Sequence, residues 1–199
     1  MIAIVDYGMG NLRSVQKAFE YIGCDAKITS AACDLKNASH IVLPGVGAFK
    51  DAMTALEEYR VVDVMKSEIA KGKPFLGICL GMQMLFDKSY EDGEFGGLGL
   101  VRGEVKRFET TLKIPHIGWN NVIVKKPTKL FENVDDFNFY FVHSYHASGC
   151  LAGDVETVCD YGYEFVSSVN KDNVWGVQFH PEKSGDTGLR LLKNFAKIN

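Results

Sequence analysis

The chain is poor in the features that would announce several function classes. Its 22 lysines and arginines stand against 25 aspartates and glutamates, a formal net charge of −3, and no basic run stands out. Composition therefore gives no support for a nucleic-acid partner. No apolar stretch approaches the roughly 20 residues that a membrane span needs. The N-terminus, MIAIVDYGMG, lacks the basic start and long apolar segment of a secretory signal. It reads as a strand running into a glycine-rich turn, and a cytoplasmic protein is expected. The cysteines (Cys24, Cys33, Cys79, Cys150 and Cys159) are odd in number, irregularly spaced and contain no CxxC pair. That argues against a disulfide framework and against a zinc site, and neither metal nor cofactor is expected. With no internal repeat, low-complexity segment or linker, residues 1–199 are expected to form a single domain with one sizeable core.

What is present is alternation. IAIV (2–5), HIVLPG (40–45) and PFLGI (74–78) are short apolar runs, each ending near a breaker. Between them lie segments of helical spacing. In 11–22, Leu12, Val15, Phe19 and Ile22 share one face, with Asn11 as the candidate N-cap. Segments 48–58 and 61–71 follow, Gly72 ending the second. LGMQMLF, after the third apolar run, is helix-like. Strands alternating with helices imply βαβ units and a buried parallel sheet. The second half reads as strands near 98–108, 120–125, 139–143, 155–159, 163–169 and 174–179, then an amphipathic helix over about 186–197 carrying Leu189, Leu192 and Phe195. The expected fold is α/β, a three-layer sandwich around a mixed, mostly parallel sheet.

Gly77-Ile78-Cys79-Leu80-Gly81 sits at the strand-to-helix junction and is the cysteine counterpart of the G-x-S-x-G nucleophile elbow. A sharp turn exposes the nucleophile, and flanking glycines remove Cβ clashes. The following helix N-terminus offers free N–H groups and favours a thiolate. Equally, the two glycines on their own would permit close strand–helix packing around an inert, buried Cys79.

A cysteine nucleophile needs a histidine, and that histidine needs an orienting acceptor. Of His40, His116, His143, His146 and His180, the last stands out in VWGVQFHPEKS, where Pro181 stops an apolar strand. In extended chain, residues i and i+2 point the same way, so Glu182 can reach back to one imidazole nitrogen while the other faces the thiol. An oxyanion hole needs a donor besides the Leu80 amide. Gly45-Val46-Gly47 ends another parallel strand at the same sheet edge, although the stretch serves equally well as a plain β-to-α turn. The DYGMGN loop lacks the Walker lysine and the full G-x-G-x-x-G pattern, so nucleotide binding is not expected.

GICLGMQ, followed about one hundred residues later by QFHPEKS, resembles the class I (triad) glutamine amidotransferases. VDYGMGNLRSV (5–15), LPGVGAF (43–49), PHIGWN (115–120) and YFVHSYHA (140–147) extend the likeness, almost end to end, to the glutaminase subunits of imidazole glycerol phosphate synthase. The resemblance implies attack of Cys79 on the side-chain amide of glutamine, proton donation by His180 held by Glu182, and an oxyanion held by Leu80 together with Val46 or Gly47. It implies glutamine contacts from Gly45, Gln83, Glu91, His143, Ser144 and Tyr145. Gln83 also follows from position, one helical turn past the nucleophile. Glu91 in its glycine-rich loop is equally an ordinary solvent-facing carboxylate, and His143, Ser144 and Tyr145 are equally polar caps of a strand end.

The resemblance further implies a partner, a cyclase subunit with a (β/α)₈ barrel that receives the ammonia, forming a heterodimer that faces Asn11, Trp119, Tyr140 and Lys183. For Trp119 and Tyr140, core packing is the equal alternative. A barrel needs roughly 250 residues, so it is expected on a second chain. The Gly45–Gly47 loop is expected to present its donors only when the cyclase has bound its acceptor. One departure is visible: Gly185 stands where these subunits commonly carry glutamine, which touches only the turn into the last helix. The same chemistry feeding another acceptor, such as a surface-sugar amidotransferase, a cysteine peptidase on a similar fold, and a catalytically dead scaffold remain as alternatives, the last opposed by the intact Cys79, His180 and Glu182.

Overall fold

Short apolar runs become buried parallel strands because each must be covered on both faces. The computed structural model describes residues 1–198. Strands β1 (Ile2–Val5), β2 (Ala26–Thr29), β3 (His40–Gly45) and β4 (Phe75–Cys79) alternate with helices α1 (Leu12–Tyr21), α2 (Ala32–Asn37), α3 (Phe49–Glu58) and α4 (Val62–Ala70). A one-turn helix, α5 (Leu80–Gln83), precedes the short strands β5 (Lys88–Ser89) and β6 (Phe95–Gly96). Then come β7 (Glu104–Arg107), β8 (His116–Val124), β9 (Asn138–His143), β10 (Tyr145–Ser148), β11 (Val155–Asp160), β12 (Glu164–Lys171) and β13 (Val174–Val177). Two 3₁₀ turns, Lys129–Phe131 and Pro181–Lys183, and helix α6 (Gly185–Phe195) complete the described chain. Among the described residues, no helix is long and apolar enough to cross a membrane.

The sheet runs β2-β1-β3-β4-β13-β12-β10-β7-β5-β6, and β11, β8 and β9 branch from β12. The pairings from β2 to β13 are parallel. From β13 through β12 and β10 to β7 they are antiparallel. This is the expected mixed sheet in three layers, parallel through its centre from β2 to β13, while the short connections of the second half make the remaining pairings antiparallel except β5 with β7. Alternation along β1 shows the layering: Ile2 and Ile4 join a core with Phe19, Phe139, Phe179, Leu192 and Phe195, while Ala3 and Val5 join a second core with Phe49, Leu56, Met65 and Met82. Each large apolar side chain so buried stabilises by about 1.5–3 kcal/mol.

Differences from the sequence expectations have local causes. β2 and α2 escape the pattern because AKIT has just two buried positions and α2 buries only Leu35. The expected strand at 98–108 shortens to Glu104–Arg107, since Gly99 and Gly103 take φ values of +63° and +143° that break an extended run. The strand expected at 120–125 instead spans His116–Val124, so most of PHIGWN is itself sheet. Asn11 occupies the N-cap position of α1, but its side chain caps nothing; Oδ1 accepts from the Ser14 hydroxyl at 2.8 Å. Gly72 ends α4 as expected, with φ +90° and its N–H on the Ile69 carbonyl. Gly185 opens α6 at φ +58°, a conformation glycine adopts without strain.

Candidate active site

The strand C-terminal edge carries the site. Cys79 ends β4 with φ +56° and ψ −111°. Such a backbone costs a non-glycine residue about 1–3 kcal/mol and persists only where packing dictates it. Two glycines make that packing possible. A Cβ on Gly77 would lie 2.6 Å from the Gly81 carbonyl oxygen, and one on Gly81 would strike the Leu43 carbonyl. Close packing and the placing of Cys79 are therefore one device: the glycines let β3, β4 and α5 touch, and the touch sets the buried Cys79 in the wall of the cleft described below.

The helix expected over LGMQMLF stops after Gln83. Leu85 and Phe86 donate back three residues instead of four, and the amides of Leu98, Leu100 and Val101 take the carbonyls of Met84 and Leu85 that a longer helix would need. A single turn has little macrodipole. What it offers is first-turn amides without a helical partner, that of Leu80 foremost.

β13 continues into Gln178-Phe179-His180, where alternation sends Phe179 into the core, His180 to the cleft and Gln178 to the buried side of Cys79. The Phe179 ring stacks on Phe139 with centroids 4.0 Å apart. The next turn reverses on Pro181, and α6 lies so close that a Cβ on Gly188 would strike the Pro181 carbonyl. The His180 N–H donates to the Tyr140 carbonyl at 2.9 Å. Ser184 Oγ donates to the His180 carbonyl at 2.6 Å and accepts from the Tyr140 N–H at 3.0 Å. These bonds clamp the turn to β9.

His180 Nδ1 is 2.8 Å from Glu182 Oε1, and both side chains are buried, at 2% and 1% exposure. Nε2 makes no hydrogen bond. Burial pulls the imidazole pKa down, but the neighbouring Cys79 sulfur and the Glu182 carboxylate outweigh it, and the net shift is upward.

A cleft of about 320 Å³ opens here, walled by Val46, Gly47, Cys79, Leu80, Gln83, Glu91, His143, Ser144, Tyr145 and His180, with Pro115 and Val142. Glu182 stands behind His180. Gly45 does not line the cleft: it pairs with Cys79 in register, and the space of its missing side chain is taken by Tyr7 Oη at 2.8 Å and the Gly81 nitrogen at 2.9 Å. Its position offers packing rather than a substrate contact. Tyr7, from the DYGMGN loop, donates to the Pro44 carbonyl at 2.9 Å and so bolts the loop that carries Val46 and Gly47.

Glu91 is not a free surface carboxylate. Oε2 accepts the Phe49 N–H at 2.7 Å, capping α3, and burial raises its pKa against that hydrogen bond. His143 has no ring nitrogen to spare: Nδ1 is 2.8 Å from the Tyr145 carbonyl and Nε2 is 3.0 Å from His116 Nδ1. Burial holds it neutral, with a pKa of about 3, and His116 at about 4. It can wall the cleft but cannot hydrogen-bond a ligand through its ring.

Gln178 and Ser184 escaped the sequence reasoning, and His116 figures there only as a candidate partner for the cysteine. Only Gln178 left a usable signal, since it lies two residues before His180 and so faces the same side.

Beside the cleft, Ile117 and Trp119 project from β8 at 56% and 55% exposure. Trp119 is thus not a core residue. It meets Tyr140 edge-on at 6.0 Å, and Lys183 Nζ lies 5.9 Å from the centre of the Tyr140 ring. α1, which Asn11 precedes, packs against the same Pro181–Lys183 turn.

Residues 3–198 match the family model for glutamine amidotransferase class-I. The chain is 51% identical over 199 residues to imidazole glycerol phosphate synthase subunit HisH of Caldanaerobacter subterraneus subsp. tengcongensis, covering 100% of this chain and 98% of that one. It is 52% identical over 198 residues to the HisH subunit of Aquifex aeolicus, covering 98% and 95%. Among solved structures, a glutamine amidotransferase superposes with TM-score 0.77 at 20% identity over 98% of this chain and 100% of that one. PurLQS from Thermotoga maritima superposes with TM-score 0.78 at 18% identity over 98% and 96%. At such identities these two speak for the fold alone. The chain belongs to the class-I glutamine amidotransferase family, in the company of its HisH subunits.

Proposed function

We infer that this chain is the glutaminase subunit of imidazole glycerol phosphate synthase, releasing ammonia from glutamine for histidine biosynthesis. The observation that carries the reading is the strained Cys79 on its glycine elbow, facing one cleft with a His180 whose far nitrogen is held by buried Glu182. Identity of about one half along the full length to HisH subunits selects the pathway.

The steps follow from the geometry. Glutamine enters the cleft, and the Cys79 sulfur attacks its side-chain carbonyl carbon. The resulting oxyanion faces the Leu80 amide and a second donor from Val46 or Gly47; each such donor is worth about 10²–10³ in kcat. His180, kept protonated by its surroundings, passes the Nε2 proton to the leaving nitrogen. Ammonia departs and a glutamyl thioester remains. Water, deprotonated by the now neutral His180, attacks the thioester; the carbon–sulfur bond breaks, glutamate leaves, and the Cys79 thiolate and protonated His180 of the starting state are restored. Glu182 holds the ring's tautomer and orientation throughout. Gln83, Glu91, Ser144 and Tyr145 bind glutamine.

Ammonia is useful only unprotonated and unlost, so the cleft must open onto a second subunit. The exposed Ile117 and Trp119, with Tyr140, Lys183 and Asn11 around them, support that face as the dock for a (β/α)₈-barrel cyclase in a cytoplasmic heterodimer, the whole chain acting as one glutaminase domain. The glycine-hinged Gly45–Gly47 loop presents its donors fully only in that complex. Glutamate release is measured with the chain alone, with a histidine-pathway cyclase and its ribonucleotide, and with Cys79→Ala. Near-silence alone, strong activation in the complex and loss in the variant are expected. Cys79-dependent activity that ignores cyclase and ribonucleotide would move the protein to another acceptor.

A further inference from the structure

Gln178 is fully buried, at 0% exposure, and belongs to no part of the mechanism above. Its side chain nevertheless touches the nucleophile. Nε2 lies 3.8 Å from Cys79 Sγ, and Oε1 lies 3.0 Å from Gln83 Nε2. The orientation of both amides follows from a single fixed point. The Tyr145 carbonyl can only accept, so the Gln83 atom 3.0 Å away must be Nε2. The second proton of that nitrogen points at Gln178, whose facing atom must then be Oε1. By elimination the Gln178 amide turns its N–H toward the sulfur. The same logic uses up both Gln83 protons and leaves Gln83 Oε1 as its one unengaged polar atom, in a residue that lines the cleft.

We propose that Gln178 is a fourth catalytic residue, donating a hydrogen bond to the Cys79 sulfur when it carries negative charge and holding Gln83 with its acceptor turned to the substrate. The inference deepens the glutaminase reading and rests on it for the second role. A sulfur bears negative charge twice in the cycle: as it attacks the amide, and as the thioester breaks. His180 serves the same sulfur but must also carry a proton to the leaving nitrogen, so it cannot stay with the sulfur throughout. The Gln178 amide has no proton to give away and remains a fixed donor in a water-poor site, where such dipoles act most strongly. Its placement is rigid, because Phe179 beside it is stacked in the core and its own N–H donates to the Ser167 carbonyl at 2.9 Å.

The test separates the two roles. Gln178→Met and Gln83→Met both break the bond between the glutamines, but only the first removes the donor to sulfur. The pH dependence of Cys79 alkylation by iodoacetamide is followed by mass spectrometry on tryptic peptide 72–88, in which Cys79 is the only cysteine. The titratable groups facing Cys79 are Tyr7 from the loop after β1, His143 on β9 and His180 with Glu182 behind it, with Glu91 and Tyr145 in the cleft wall; none is altered in either variant. Loss of a hydrogen bond to the charged form raises a pKa. The expected result is an alkylation midpoint raised by about one unit or more in Gln178→Met and little moved in Gln83→Met. In the cyclase complex, kcat for glutamine falls about tenfold or more in Gln178→Met, and KM rises in both. Midpoints that move together, or not at all, would overturn the proposal and reduce Gln178 to a prop for Gln83. If thermal melts show Gln178→Met unfolded, Gln178→Asn, which withdraws the amide by one methylene, is read by the same criterion. Alkylation needs no glutamine, so the role of Gln178 at the sulfur is decided even if the glutaminase reading fails.

Discussion

Replacing Gly77 with alanine adds one methyl group at the point where the elbow is tightest. The new Cβ would lie 2.6 Å from the Gly81 carbonyl oxygen, 2.7 Å from its carbon and 2.8 Å from the Met82 nitrogen, all backbone atoms that no rotamer change can clear. Ordinary contact begins at 3.4 Å, so β4 and α5 must separate by about 0.6–0.8 Å. Gly77 does not have a positive φ, so the penalty is steric and not conformational. Overpacking of this kind costs about 1–3 kcal/mol, a fall of about 2–12 °C in Tm for a chain of this size. The larger effect is on chemistry, because Cys79 rides on β4 while Leu80, whose amide is proposed to hold the oxyanion, begins α5. A misplacement near 1 Å costs about 10² in rate. Glutaminase kcat in the cyclase complex is therefore expected to fall roughly 30- to 100-fold, measured beside thermal unfolding. Gly153→Ala, with nothing within 4 Å of the added Cβ and no positive φ, is the control. A folded Gly77→Ala protein with kcat within twofold of the parent would refute the claim that glycine packing sets the nucleophile.

Glu182→Gln keeps the shape of the side chain but removes its charge, and kcat is expected to fall about 10²- to 10⁴-fold. Because the His180 pKa is raised in the folded state, the stability it adds is fully present below the unfolded histidine value and is lost as pH rises through the folded one. The stability deficit of Glu182→Gln, read by denaturant titration, is thus expected at acid and neutral pH and to shrink in strong alkali. Glu156 is fully buried with neither carboxylate oxygen hydrogen-bonded, and burial raises its pKa to about 7 from 4.5. The native state then binds the extra proton, and its stability falls as pH rises from about 4.5 to 7. Glu156→Gln is accordingly expected to stabilise by about 1–3 kcal/mol at pH 8 and by nothing below pH 4.5, with equal gains at both pH values counting against the argument. Trp119→Ala is expected to weaken cyclase binding by about 2 kcal/mol, roughly 30-fold in Kd by calorimetry, with Tm unchanged because the ring lies outside the core.

The sequence alone determined what rests on local periodicity. IAIV, HIVLPG and PFLGI could only be buried parallel strands, because an apolar run that short has no polar face to give to water. Helical spacing named the faces of α1 and α6 and marked α3 and α4 as helices. G-x-C-x-G at a strand end and HPE at another marked Cys79, His180 and Glu182, since a sharp turn and an i, i+2 pair are properties of neighbouring residues. The tertiary structure decided what depends on segments that meet from afar. Whether LGMQMLF continued as helix was settled by the Leu98–Val101 loop taking its carbonyls. Glu91 became a cap because α3 starts beside it, and His143 lost both ring nitrogens to Tyr145 and His116. The link from Cys79 through Gln178 and Gln83 to the Tyr145 carbonyl joins β4, the segment after β13, α5 and β10, its first two members 99 positions apart in the chain. Hydrogen bonds of that reach have no signature in the spacing of residues along a chain; they exist only once the sheet edge has brought its loops together.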